Sequence, residues 1–275
     1  MLTTPATALR FERLLLTGAA GALGRELRPR LKAYCTHLRL SDINPLQPAA
    51  PAPGEEITLC PLQDAAGVMK LMEGVNAVVH LGGVSVEQPW EPILAGNIVG
   101  MVNLYEAARL QRVKRIVFAS SNHVMGFYRQ DQVIDAKTPP RPDGFYGLSK
   151  AFGEDVAQLY WDRWGVETVS IRIGSCYPEP KDRRMLATWL SYDDLERAVM
   201  AALTAPVVGH SILYGTSDNQ TSWYDNRLGK HIGFRPQDSA DRFRARQETA
   251  QPVLDSHDPA VIHQGGAFVK AAPHG

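Results

Sequence analysis

The sequence predicts an α/β fold, a doubly wound parallel sheet of about seven strands with a small C-terminal elaboration. Three observations predict it. Short apolar runs alternate with longer amphipathic stretches from residue 13 to residue 215. The first such pair is joined by a glycine turn, the mark of a β-α-β unit. The runs are apolar throughout rather than alternating, as expected of strands covered on both faces, and parallel strands need the helical crossovers that lie between them.

Taken in order, "RLLLTG" (13–18) reads as the first strand, "ALGRELRPRLKAY" (22–34) as a helix and "LRLSD" (38–42) as the second strand. The proline-rich "NPLQPAAPAPGEE" (44–56) reads as a surface loop. "EEITLCPL" (55–62) is the third strand, "DAAGVMKLMEG" (64–74) a helix, "NAVVHLGG" (76–83) the fourth strand, and "NIVGMVNLYEAARLQRV" (97–113) a long helix. "RIVFASS" (115–121) is the fifth strand, followed by the helix "YGLSKAFGEDVAQLYWDRWG" (146–165) and the strand "ETVSIRIG" (167–174). The helix "YDDLERAVMAALTAP" (192–206) and the strand "HSILYG" (210–215) complete the pattern. Beyond Gly215 only "SADRFRARQ" (239–247) has a helical, amphipathic cast, with its arginines read as a solvated face. No linker interrupts the chain, so residues 1–275 are expected to form one domain. Residues 13–175 are its nucleotide-binding core, and 176–275 mainly a substrate-binding segment with a returning helix and strand.

Composition narrows the function. Lys+Arg and Asp+Glu number 29 each, so no overall field favours nucleic acid or an anionic membrane. The three cysteines, Cys35, Cys60 and Cys176, show no metal-ligand spacing, which predicts reduced, packed thiols, a cytoplasmic setting and no bound metal. The N-terminal "MLTTPATALRF" has no apolar h-region, and no stretch is long enough to span a bilayer.

The turn "TGAAGALG" (17–24) follows a strand and opens a helix. In that context Gly18 permits the tight turn, Gly21 a close backbone approach to a pyrophosphate, and Gly24 close helix–strand packing. The dinucleotide phosphates are expected along Gly18, Ala20, Gly21, Ala22, Leu23 and Gly24, where the helix N-terminus offers N–H groups. Asp42, eighteen residues after Gly24, ends the second strand. An acid there accepts hydrogen bonds from ribose hydroxyls and repels a 2′-phosphate, which favours NAD over NADP. Further along, Tyr146 and Lys150 stand four apart at the start of a helix and share a face. A lysine ammonium beside a tyrosine lowers the phenol pKa, making Tyr146 a base for a hydroxyl proton. The fifth strand ends in Ser120, Ser121, Asn122 and His123, at the sheet edge where ligands bind in such folds.

Together "TGAAGALG", "VVHLGG", "NIVGMVNLYEAA", "VFASSNHVMG" and "YGLSK" resemble the extended short-chain dehydrogenase/reductase (NAD-dependent epimerase/dehydratase) family, over roughly residues 14–174. The resemblance implies a Rossmann-like fold, bound NAD, and a catalytic set of Tyr146, Lys150 and Ser121. It also implies that Leu81 and Gly82 of "HLGG" line the cofactor and that Asn97 helps to organise a proton-relay water. Family members often carry an acid that contacts the adenine after the third strand. Pro61 stands at that place here, which shifts adenine anchoring to backbone near Leu62 or to Asp64.

The substrate class is narrowed by residues around and beyond this core. "SSNHV" lacks the Asp-Glu pair of the family's dehydratases, and only about a hundred residues come after Cys176, few for a nucleotide-sugar lobe. "FASSNHVMGFY", "RPDGFYGLSK", "RIGSCYPEPKDRRMLATW" and "QGGAFV" most resemble the uronate dehydrogenases of this family. In that resemblance Arg184 matches the arginine that binds the sugar carboxylate, with Ser85, Asn122, His123 and Ser175 as the remaining substrate positions. The chemistry agrees, because a planar guanidinium grips a carboxylate bidentately. Each position also has an ordinary reading. Asp182 or Glu179 offers Arg184 a local ion pair, Arg183 is a surface charge or helix-start contact, and His123 is a donor to a backbone carbonyl. Trp189, Trp223 and Phe268 read as core or interface aromatics. The expected activity is oxidation of D-galacturonate or D-glucuronate at C1 with NAD. A sugar or sugar-nucleotide epimerase/dehydrogenase and a non-catalytic NAD sensor are the competing readings. A homo-oligomer built on the long helices 97–113 and 147–165 is usual for the family.

Overall fold

A computed structural model of the chain describes residues 11–251 and 253–271. The N-terminal stretch read for a leader therefore lies, up to residue 10, outside the described residues. Seven strands form one parallel sheet: β1 Phe11–Thr17, β2 Cys35–Asp42, β3 Glu55–Leu59, β4 Ala77–His80, β5 Arg115–Ser121, β6 Glu167–Ile173 and β7 His210–Gly215. Their spatial order is β7-β6-β5-β4-β1-β2-β3. Helices α1 (Ala22–Leu31) and α5 (Tyr192–Thr204) cover one face, and α2 (Ala65–Leu71), α3 (Gly100–Leu110) and α4 (Phe145–Trp164) cover the other.

The two faces explain the unbroken apolar strands. Leu14 and Leu16 of β1 pack with Leu27, Leu31, Leu195 and Val199, while Leu15 between them packs with Val68, Leu104, Tyr105 and Val156. Successive side chains point to opposite faces, so a strand covered twice must be apolar at every position. Each fully buried leucine is worth about 1.5–3 kcal/mol.

Chain order reverses at β1, which pairs with both β2 and β4. Thr17 lies opposite Ser41 on one side and His80 on the other, so the loops after β1, β2 and β4 open at the same level of the same edge. Such a switch point is where open α/β sheets bind ligands.

Two boundaries differ from expectation. The third strand stops at Leu59, three residues early. Pro61 has no N–H for a ladder, and Asp64 is committed to the N-cap of α2, accepting from Gly67 N–H at 3.0 Å. The helix expected from Asn97 begins instead at Trp90, running through Trp90–Ile93 and a π-helical turn, Leu94–Val99, into α3. That wider turn carries Asn97.

Beyond β6 the chain makes a short parallel pair of Ser175–Cys176 with Trp189–Leu190, then returns through α5 and β7. Trp189 and Trp223 are buried, as expected. The tail is stitched across the loop after β5: Gly265 N–H donates to Gly126 O at 2.8 Å, and Gln264 Nε2 donates to Arg129 O and Gln132 O. Among the described residues no helix is long and apolar enough to cross a membrane.

Candidate active site

The first wall of the site is the β1–α1 turn. Gly18 has φ +71°, and a Cβ on it would lie 2.6 Å from the carbonyl carbon of Leu81. A Cβ on Gly24 would lie 2.2 Å from Gly18 O. Neither position admits a side chain. Gly21 begins α1 with no side-chain cap, so the first-turn N–H groups of Ala22, Leu23 and Gly24 lack intrahelical acceptors. Asp42 closes the end of β2, its Oδ2 accepting from Ala20 N–H and its Oδ1 from Asn44 N–H, each at 2.9 Å. Each oxygen keeps lone-pair capacity for a hydroxyl. An uncapped helix start beside an acid fits an anionic dinucleotide with a free 2′-hydroxyl.

Leu62, Leu81 and Gly82 border this wall. A Cβ on Gly82 would lie 3.1 Å from both Leu62 Cδ1 and Thr17 Oγ1. Leu62 O accepts from Asn103 Nδ2 at 3.0 Å. His80 lies 2.7 Å from Thr17 Oγ1, and burial, aided by the Lys150 charge, pushes it down to about 3, so it stays neutral. Asn97 spends its amide on protein: Oδ1 accepts from Val84 N–H at 2.7 Å, and Nδ2 donates to Val84 O and Ser149 Oγ. It holds the loop after β4 against α4. His80, Asn97, Ser149 and Lys150 also line a cavity of about 10 Å³, the size that one water fills.

The second wall is α4 against β5. Tyr146 sits in the first turn, and Lys150 one turn on donates to Ala119 O at 2.9 Å. Ser121, the last residue of β5, accepts from His123 N–H at 3.1 Å and is close enough to the Tyr146 phenol to pull its pKa down. The expected trio therefore converges. The expected electrostatics does not. Burial pushes the Tyr146 phenol up to about 12, Ser121 opposing and the Asp143 charge adding. Burial alone pulls Lys150 down to about 8. In the dry wedge between helix and strand, desolvation outweighs the attraction that the four-residue spacing suggests.

The third wall holds the residues expected to meet a substrate. Arg184 Nε donates to Gln264 O at 2.7 Å; with the Asn122 amide turned so that both its ends find partners, Arg184 Nη2 donates to Asn122 Oδ1 at 3.0 Å and Asn122 Nδ2 donates to Ile173 O at 3.1 Å. Neither local acid takes the guanidinium. Glu179 pairs with Arg246, and Asp182 caps Met185 N–H. Arg183 instead holds Gln251, through its N–H to Oε1 at 2.7 Å. Ser175 Oγ lies 2.9 Å from Thr188 Oγ1, and Ser85 is exposed on the loop after β4. His123 pairs with a carboxylate, Asp143, rather than with a backbone carbonyl. Phe268 is no core aromatic, because its ring stacks on His123 with centroids 3.8 Å apart.

Two acids here escaped the sequence reading. Glu87, on the loop after β4, accepts from the N–H groups of Phe145 and Tyr146, each at 2.9 Å, and so caps the helix that carries Tyr146. Asp143 is fully buried behind His123. Proximity to "GFYGLSK" was the only available signal for Asp143. Glu87 lies 58 residues from its partner, beyond any local pattern.

With this geometry in view, comparison with known proteins is specific. Residues 14–192 match the model of the NAD dependent epimerase/dehydratase family. A uronate dehydrogenase of Pseudomonas putida is 58% identical over 273 residues, covering 99% of each chain. A glucuronic acid dehydrogenase structure from Chromohalobacter salexigens is 50% identical with a TM-score of 0.93, covering 95% of this chain and 97% of the other. A mutant uronate dehydrogenase from Agrobacterium tumefaciens, solved in complex with NAD, is 47% identical with a TM-score of 0.92, covering 96% and 98%.

Proposed function

The chain belongs to the NAD dependent epimerase/dehydratase family and, within it, to the uronate dehydrogenases; on that premise we propose that it oxidises the cyclic forms of D-galacturonate and D-glucuronate at C1 to the aldarolactone. It is an NAD-dependent oxidoreductase. The residues that would hold NAD are Gly18, Ala20, Gly21, Ala22, Leu23, Gly24, Asp42, Leu62, Leu81, Gly82, Asn97 and Lys150. When bound, NAD supplies the acceptor for the C1 hydride and a positively charged ring.

The chain's own residues do the rest. Arg184 grips the C6 carboxylate, which orients the sugar ring. Tyr146 takes the anomeric hydroxyl proton, and Ser121 steadies the oxygen as it becomes a carbonyl. Lys150 stabilises the phenolate. Because the ring oxygen stays bonded to C1, the immediate product is a lactone. Tyr146 and Lys150 supply acid–base chemistry without a metal ion.

One observation carries this reading: Arg184 stands beside Asn122 at the mouth of the site with no carboxylate partner among the described residues. A half-buried guanidinium without an acid is suited to an anionic substrate. Ser85, Asn122, His123 and Ser175 are the further substrate contacts in this reading. The test is NADH formation with galacturonate and glucuronate against galactose and glucose. Net NADH with the free acids excludes an epimerase, which returns its hydride within each turnover. Arg184→Ala should lower kcat/KM for the acids at least tenfold, since charge-assisted hydrogen bonds contribute about 1.5–3 kcal/mol, and leave any activity on the neutral sugars nearly unchanged. Equal losses on both would sink the carboxylate contact.

Two broader expectations belong to the same reading. The buried Cys35 and Cys60 thiols suit a reducing, cytoplasmic setting. Exposed apolar side chains along α3 and α4 suit a homo-oligomer.

A further inference from the structure

Beside the site lies a carboxylate that the proposed reaction leaves without a task. Asp143 stands three residues before Tyr146, and its side chain is fully buried. Its Oδ2 lies 2.7 Å from His123 Nδ1, while Oδ1 meets no hydrogen-bond partner among the described residues. Two glycines make room for it. A Cβ on Gly126 would lie 1.9 Å from Oδ2 and one on Gly265 2.1 Å from Oδ2, while one on Gly147 would meet His123 O first. Gly126 belongs to the loop after β5 and Gly265 to the C-terminal tail, so two separate segments keep bulk away from one acid. Burying a carboxylate is costly, and this one is directed at a single ring nitrogen.

The chemistry of the pair fixes a proton. A carboxylate only accepts, so the shared hydrogen is carried by His123 Nδ1, and in the neutral ring the lone pair then lies on Nε2. The ring is held as well as polarised: Phe268 stacks on one face, and the Tyr146 ring meets it edge-on at 5.9 Å. We propose that Asp143 is a positioning residue for sugar recognition, locking His123 in the Nδ1–H tautomer so that Nε2 accepts a hydrogen bond from a ring hydroxyl of the bound hexuronate. The opposite tautomer would set a lone pair against the Asp143 carboxylate and turn Nε2 into a donor. This inference rests on the uronate reading of the site.

The same charge reaches the base. The titratable and charged groups around the pair are Tyr146 on α4, Tyr224 on the short strand Tyr224–Asp225, and Arg184 ahead of the helical turn Met185–Thr188. Asp143 raises the Tyr146 phenol, so loss of the carboxylate moves the tyrosine limb of a kcat–pH profile to lower pH. A purely packing role for Asp143 would not move it.

The test pairs a spectrum with kinetics. In the wild-type protein, ¹⁵N correlation of the His123 ring should show the proton on Nδ1; a proton on Nε2 in the neutral ring overturns the proposal. In Asp143→Asn an amide can face Nδ1 with either its oxygen or its nitrogen, so the tautomer is no longer fixed. KM for galacturonate should then rise several-fold, up to about tenfold, the loss of one hydrogen bond between neutral groups, with a smaller change in kcat and no change in NAD affinity by calorimetry. Combined with His123→Gln, the KM effects should fail to add, because Asp143 acts through His123. Independent, additive effects overturn the proposal. If Asp143→Asn does not fold, the wild-type tautomer decides. Absence of any uronate turnover in the wild type overturns the reading of the reaction instead, and the same spectrum still decides the role of Asp143.

Discussion

Tyr146 and Lys150 make opposite demands on pH. In the proposed reaction Tyr146 works as a phenolate yet lies near 12, while Lys150 works as an ammonium yet lies near 8. The fraction of molecules with both in working form therefore grows with pH, about tenfold per unit, until pH reaches about 8, where Lys150 begins to lose its proton. Log kcat/KM should climb with slope near one through neutral pH and level off on the alkaline side; a flat profile across neutrality would refute the assignment. Tyr146→Phe should lower kcat by about 10²–10⁴-fold at every pH, the usual range for general base catalysis, with NAD affinity preserved. The sequence made this pair legible because a four-residue spacing on a helix is a local fact. It pointed to the wrong sign for Tyr146, because the burial that raises the phenol is created by β5 and α4 packing together. Asp143 and Glu87 stayed hidden for the same reason: their partners, His123 and the amides of Phe145 and Tyr146, are neighbours only in the folded chain.

Helix α4 is where element and mechanism meet. Gly144, its N-cap, offers no side-chain bond, so Glu87 from the loop after β4 supplies both acceptors. A Cβ on Gly144 would lie 2.3 Å from Glu87 Oε2, so a side chain there would push the capping carboxylate aside. Replacing Glu87 with alanine should cost about 1–2 kcal/mol, the worth of a cap reinforced by the helix dipole, and should lower kcat because the same amides position Tyr146. Two turns into the helix, Glu154 accepts from Ser120 Oγ at 2.6 Å and pairs with Arg172 of β6 through two bonds of 2.9 and 2.8 Å. Arg172 in turn donates to Tyr214 on β7 at 2.8 Å. Glu154→Gln strands a buried guanidinium and should cost about 3–5 kcal/mol in urea unfolding. A cost near zero would mean that water or a neighbouring acid compensates. The strands and helices were legible because their apolar runs repeat; the π-turn at Leu94–Val99 was not, because no periodic pattern marks it.

At the scale of the molecule, the core saturates both faces of the sheet, yet apolar side chains remain outside on α3 and α4. Val102 and Leu110 on α3 and Leu148, Leu159 and Trp164 on α4 are each more than a third exposed. The two helices lie on the same face of the sheet, and Leu148 and Leu159 stand eleven residues apart, three helical turns, on one side of α4. The opposite side of α4 carries Tyr146 and Lys150, so association through the outer side would stiffen the helix without touching either residue. This arrangement predicts a two-fold dimer in which α3 and α4 meet their copies, because an isologous contact sets the same patch against itself. Light scattering should give at least twice the 30.3 kDa chain mass for the parent protein. Leu159→Glu buries a carboxylate in that contact and should shift the protein toward monomer, with unfolding becoming independent of protein concentration. A parent protein that runs as a monomer would assign those side chains to the free surface and leave α4 stabilised by Glu87, Glu154 and its packing alone.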